Sequence, residues 1–192
     1  MTLDTVTVVT EEPSVTLAIA IAALVLSLGG IAIQGFLYWL NGSRIRLELK
    51  WSMVGNAGVI TMPHSRPEEI ERLKKQGFSG IFLAVEVTNK GRGETNIVGF
   101  SAMLNNGFSF APTAAGLPFN PTLPHHLEMH SQVVFHVPFE EVVLAAEVCT
   151  ETGVAARDQY TARMQVVFGS GRKMLTKDQV AVKLGALRPT SR

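Results

Sequence analysis

Residues 15–51, VTLAIAIAALVLSLGGIAIQGFLYWLNGSRIRLELKW, change their periodicity partway along. Residues 15–40 hold no charged side chain, and only Thr16, Ser27, Gln34 and Tyr38 interrupt the apolar run. That run exceeds the roughly 20 residues needed to cross about 30 Å of hydrocarbon. A soluble core helix is usually shorter and keeps a polar stripe, so the sequence predicts a transmembrane helix. Residues 44–51 then alternate strictly, with Ile45, Leu47, Leu49 and Trp51 on one face and Arg44, Arg46, Glu48 and Lys50 on the other. Period two with one apolar face is a half-buried strand. The chain therefore reads as a membrane helix followed at once by a β domain.

Signals flank the helix on both sides. Glu11 and Glu12 stand where the positive end of the helix dipole favours carboxylates, and Pro13 suits a first helical position. At the far end Phe36, Tyr38 and Trp39 gather where aromatic rings prefer the headgroup level. A cleaved signal peptide needs a basic leading region, whereas residues 1–14 contain Asp4, Glu11 and Glu12 and no Lys or Arg. Arg44, Arg46 and Lys50 follow the helix and no basic residue precedes it. The positive-inside rule thus predicts a cytoplasmic C-terminal domain and an external N-terminus. Tyr38, Trp39, Arg44 and Arg46 are the expected membrane-interface residues. Small residues four apart, Ala18 with Ala22 and Ala23 with Ser27, together with Gly29, Gly30 and Gly35, suit close helix pairing and hence a homo-oligomer. Such residues are also common in membrane helices that do not pair.

Composition narrows the function. Seventeen basic residues against sixteen acidic ones give a net charge of +1, no footprint for gripping nucleic acid. The mean hydropathy of +0.22 comes largely from the helix. Cys149 is the one cysteine, which excludes an internal disulfide and a cysteine-built zinc site and suits a reducing compartment.

With 192 residues there is room for one ordinary domain beside the anchor. The expected divisions are a short acidic segment at 1–14, the helix at 15–40, a β-sandwich at 44–177 and a basic tail at 178–192. Residues 54–64 read as extended or loop. Ser65 and Glu68 form a capping-box pattern before a short polar helix at 67–76, closed by Gly77. Residues 81–89 give the strongest strand pattern, with Ile81, Leu83, Val85 and Val87 on one face. A turn at residues 90–93 leads to a strand at 95–104, a tight turn at 105–107, and a return strand from Phe108. Residues 111–124 form a long Pro- and Ala-rich loop. Strands follow at 132–137, 161–168 and 172–176, with a short surface helix at 139–148. About seven strands, turns between them and two short surface helices predict a mainly β fold, an immunoglobulin-like sandwich, with a small barrel as the alternative.

The stretches VEVTNKGRGETNIVGFSAML (85–104), LEMHSQVVFHVPFEEV (127–142) and ARMQVVFGSGRKMLTK (162–177) resemble a group of uncharacterised bacterial proteins, frequent in actinobacteria, and phage proteins. In these a membrane helix precedes a β-sandwich. The resemblance covers residues 80–177 and implies a fold and no activity. Its phage members suggest an envelope protein that alters host susceptibility to infection as one functional reading.

His125, His126 and His130, with Glu128, Met129 and His136 near them, are the densest set of metal-ligand residue types, and imidazoles beside a carboxylate suit zinc, copper or nickel. A metal-binding domain or metalloenzyme built on them is one alternative. An extended chain, however, sends His125 and His126 to opposite faces, so solvated histidines are the simpler reading. His136, alternating with Phe135, is expected on a solvated outer face. Cys149 lacks a recognisable adjacent base and reads as a buried thiol. Gly91-Arg92-Gly93 has neither the spacing nor the strand-to-helix setting of a phosphate loop. With no serine elbow, zinc-protease helix or kinase signature, the leading expectation is a module, with no enzymatic role and no cofactor, that meets the lipid bilayer and a protein partner.

Overall fold

The computed structural model describes residues 13–56, 58–111, 117–153 and 159–184. The chain divides into two compact units, Met1–Gly42 and Ser43–Arg192. The first is a helix, α1 (Pro13–Asn41). Its 24 residues Val15–Tyr38 are long and apolar enough to cross a membrane, since at about 1.5 Å per residue they exceed the roughly 30 Å of hydrocarbon. A helix satisfies its own backbone groups, which hydrocarbon demands. The Ser27 hydroxyl is satisfied within α1 as well, donating to the Leu24 carbonyl at 2.9 Å. Glu11 and Glu12, expected at the helix start, lie outside the described residues.

The second unit is mainly β. Its strands are β1 (Ile45–Gly55), β2 (Gly58–Pro63), β3 (Gly80–Asn89), β4 (Thr95–Leu104), β5 (Ser109–Phe110), β6 (His125–Leu127), β7 (Gln132–Pro138), β8 (Tyr160–Phe168), β9 (Lys173–Leu175) and β10 (Val180–Val182), with helices α2 (Glu68–Lys75) and α3 (Phe139–Thr152). One antiparallel sheet runs β2-β1-β3-β7. The other runs β10-β8-β4-β5, with β6 also paired to β4 and β9 to β8. The expected alternation holds through the long strands. Leu49 faces Val85 and Trp51 faces Leu83 across β1 and β3, and these four are buried together with Val133, Phe135 and Val137 of β7. Ala162, Met164, Val166 and Phe168 of β8 enter the same core from the other sheet. Phe135 and Phe100 meet across the two sheets with ring centroids 4.8 Å apart.

Several local features depart from the sequence reading. The chain has more and shorter strands than seven, because β2, β6 and β10 take their definition from neighbours and not from any pattern of their own. The Ser65–Glu68 capping box does not form: Pro67 occupies the N-cap of α2, which receives no side-chain capping bond. Gly77 does end that segment, at φ +90. Helix α3 is longer than expected and is no mere surface helix, since Val142, Val143, Ala146 and Cys149 are buried in the core. It stops at Gly153, whose left-handed φ of 68 suits glycine. The supposed tail begins with ordered chain: Val180 and Val182 pair with β8 as β10, and Val182 is buried. Residues 185–192 lie outside the described part.

Candidate functional site

The three histidines singled out as metal ligands are separated by local geometry. β6 pairs with the start of β4, placing His125 opposite Ile97 and His126 opposite Asn96. Neighbours on a strand point to opposite faces. His125 therefore turns inward, its ring centroid 6.2 Å from that of Phe135. His126 turns outward, its Nε2 3.2 Å from Glu94 and its Nδ1 3.0 Å from Asn96 Oδ1. His130 sits in the exposed turn before β7 with φ 54. Among the described residues no three His, Cys, Asp or Glu side chains gather into a metal-holding group.

His136 lies on the outer face of β7, as its alternation with Phe135 predicts, yet it is only 5% exposed. The cover comes from the loop at 117–120. The Phe119 ring packs edge-on against both His136 and Phe82, with centroids 5.2 Å away in each case. Asn120 then pairs with the backbone of His136 as a neighbouring strand would: its Oδ1 accepts the His136 N–H at 2.8 Å and its Nδ2 donates to the His136 carbonyl at 2.9 Å. The same Oδ1 lies 3.0 Å from His136 Nδ1, which places the ring proton on Nδ1. Nε2 is buried and has no hydrogen-bond partner among the described residues. Burial lowers the His136 pKa to about 4, because a cation here would have no water around it. No single-residue pattern marks this pair; an Asn in a Pro-rich loop sixteen residues before a strand histidine is all the sequence offers.

Asn120 matters because β7 is an edge of the first sheet, and an edge strand carries a row of backbone donors and acceptors open to other chains. The opposite edge, β2, is treated differently. Among the described residues β2 pairs with β1 alone. Gly58, Val59, Ile60, Thr61 and Pro63 are exposed, and residues 51–63 contain no charged side chain. Lysines, bulges and inward charges are the usual protection for such an edge. Here they are lacking, and the protection left is a proline at the end of the strand, Pro63.

The remaining candidates have structural places. Cys149 is a buried thiol in α3. Gly91-Arg92-Gly93 forms the β3–β4 turn, organised by Asn89, which the sequence reading passed over. Fully buried, Asn89 accepts the N–H groups of Arg44 and Gly91 at 3.3 and 3.0 Å and donates to the carbonyls of Gly93 and Glu128 at 2.8 and 3.1 Å. Of the expected interface residues, Tyr38 is exposed on α1, Arg44 is exposed just before β1, and Arg46 pairs with Glu48 at 2.9 Å. The Trp39 side chain lies outside the described residues. No protein-family model matches this sequence, and no curated protein matches it.

The His136 environment predicts a pH dependence of stability. An unfolded histidine takes up its proton near pH 6.5 and the folded one only near 4, so between these values the unfolded state binds more protons and stability falls as pH falls. Urea unfolding of the detergent-solubilised chain should lose up to roughly 3 kcal/mol between pH 6.5 and pH 4. In His136→Phe that loss should shrink markedly.

Proposed function

We propose that this chain is a single-pass membrane protein whose β domain lies on the cytoplasmic side and binds a partner protein by accepting one of its strands at the open edge of β2. The observation that carries the reading is the unequal treatment of the two edges of one sheet. At His136, near the end of β7, a side-chain amide meets both backbone groups as a neighbouring strand would, whereas β2 offers exposed, uncharged and partly apolar chain along its length. Strand addition draws affinity from main-chain hydrogen bonds and selectivity from alternate side chains. Val59 and Ile60, each 38% exposed and on opposite faces of β2, offer one apolar contact on each face. A membrane anchor raises the local concentration of such a module near membrane-bound partners.

The cytoplasmic placement rests on Arg44, Arg46 and Lys50 after α1 with no Lys or Arg before it. An immunoglobulin-like topology is supported by strand order. If β1, β3 and β7 are strands A, B and E, and β4, β5, β8 and β10 are C, C′, F and G, then the orders β1-β3-β7 and β10-β8-β4-β5 are those of such a sandwich. Tyr160 adds to this: it is buried at the start of β8, its hydroxyl 3.3 Å from Thr150 Oγ1, in the place where that fold keeps a tyrosine corner. The scattered histidines favour binding over metal chemistry.

Two measurements test the proposal. A reporter active only in the cytoplasm, fused after Arg192, should be active, and one active only outside should be silent; the reverse result overturns the orientation. Partner capture by the full chain from membranes should fall at least roughly tenfold, ~1.4 kcal/mol, in Ile60→Lys, which puts a charge on the edge, and persist in Ile60→Val. Equal capture by both variants would exclude β2 as the binding edge.

A further inference from the structure

We infer that the end of the β domain at which the chain enters is a docking surface for anionic phospholipid headgroups. This rests on the reading of α1 as a membrane anchor and adds a second, electrostatic contact with the same bilayer.

Strand directions decide which loops share this end. β1 begins here, with Ile45 opposite Asn89, the last residue of β3. β7 also begins here, with Gln132 opposite Thr88. β8 ends here, with Phe168 opposite Ile97, and Gly169 N–H donates to the Asn96 carbonyl at 2.8 Å. The turns at 90–94, 128–131 and 169–172 therefore lie together beside Arg44. Asn89 fixes two of them and the chain entry through its four hydrogen bonds, so the surface is built and not left to floppy loops.

Its charge is one-sided. Lys90, Arg92, Arg172 and Lys173 are all exposed, and among the described residues none of the four forms an ion pair. The acids in these turns are two, Glu94, which lies 3.2 Å from His126, and the exposed Glu128, so the cations outnumber them. At the opposite end the turns at 55–58 and 105–108 contain no charged residue, and the turn at 76–79 follows the α2 helix with its balanced acids and bases. A near-neutral chain thus carries four exposed cations in the turns of the end that its own anchor tethers, with only residues 42–44 between α1 and β1. Met129, 54% exposed, stands in the same group of turns, an apolar side chain suited to the headgroup boundary. Each Lys or Arg near an anionic surface is worth roughly a fivefold gain in apparent affinity. Four cations acting together make the contact strong at low salt and weak at high salt.

The test uses the full chain in nanodiscs of phosphatidylcholine alone and of phosphatidylcholine with phosphatidylglycerol, read by amide hydrogen exchange. In the anionic discs the amides of residues 90–94, 128–131 and 169–172 should exchange several-fold more slowly than in the neutral ones. High salt should remove the difference. So should the combined variant Lys90→Gln, Arg92→Gln, Arg172→Gln and Lys173→Gln, with the amides of β3 and β8 still protected as proof of an intact fold. Equal exchange in both lipids overturns the inference while leaving the anchor standing, and protection that ignores salt and the variant does the same. Failure to enter either disc overturns the anchor and this inference together.

Discussion

A β domain is constrained first by its backbone: every buried N–H and C=O needs a partner, and a sheet that does not close has two strands that lack one on one side. Around β3 the constraint is met twice over, because β1 and β7 flank it along nearly its whole length. Leu83, Ala84, Val85 and Val87 are then fully buried. The Phe100–Phe135 contact joins this sheet to the other, and α3 adds a row of buried side chains to the same core. What the constraint leaves over in this sheet is its pair of edges, β2 and β7, and the proposed function rests on the difference between them.

At β7 the solution is a single asparagine. Asn120 meets both backbone groups of His136, and the loop bearing it buries the imidazole in the same stroke. The cost is a histidine held neutral far below its ordinary range. Asn89 does comparable work at the end of β3, where one buried amide with four partners ties the chain entry to two turns. Both are buried side-chain amides whose oxygen and nitrogen each have hydrogen-bond partners, as buried polar groups require. Asn89 thereby ties the chain entry to the turns at 90–94 and 128–131, and Asn120 ties the loop at 117–120 to β7 at His136.

The sequence was most legible where a pattern ran long enough to speak for itself. Alternation in β1, β3 and β8 placed the core-facing residues correctly, and the apolar run of α1 was unmistakable. Elements of three residues, such as β6 and β10, carry no period and exist only because β4 and β8 offer them hydrogen bonds. His136 shows the limit within one residue: its face could be read from Phe135 beside it, but its burial depends on Phe119 and Asn120, which only the folded loop brings near. The capping box failed for a related reason, as Pro67 took the cap position in place of Ser65. Parity alone already argued against uniting His125 with His126, and the pairing of β6 with β4 bears that argument out.

The proposed function turns on β2 receiving a foreign strand. It is tested most directly by placing a photo-crosslinking residue at Thr61 of β2, and in parallel at Val134 of β7, in the full chain in living cells. A discrete crosslinked product that contains a second protein is expected from Thr61, and none from Val134. A product from Val134 alone, or none from either position, would contradict it.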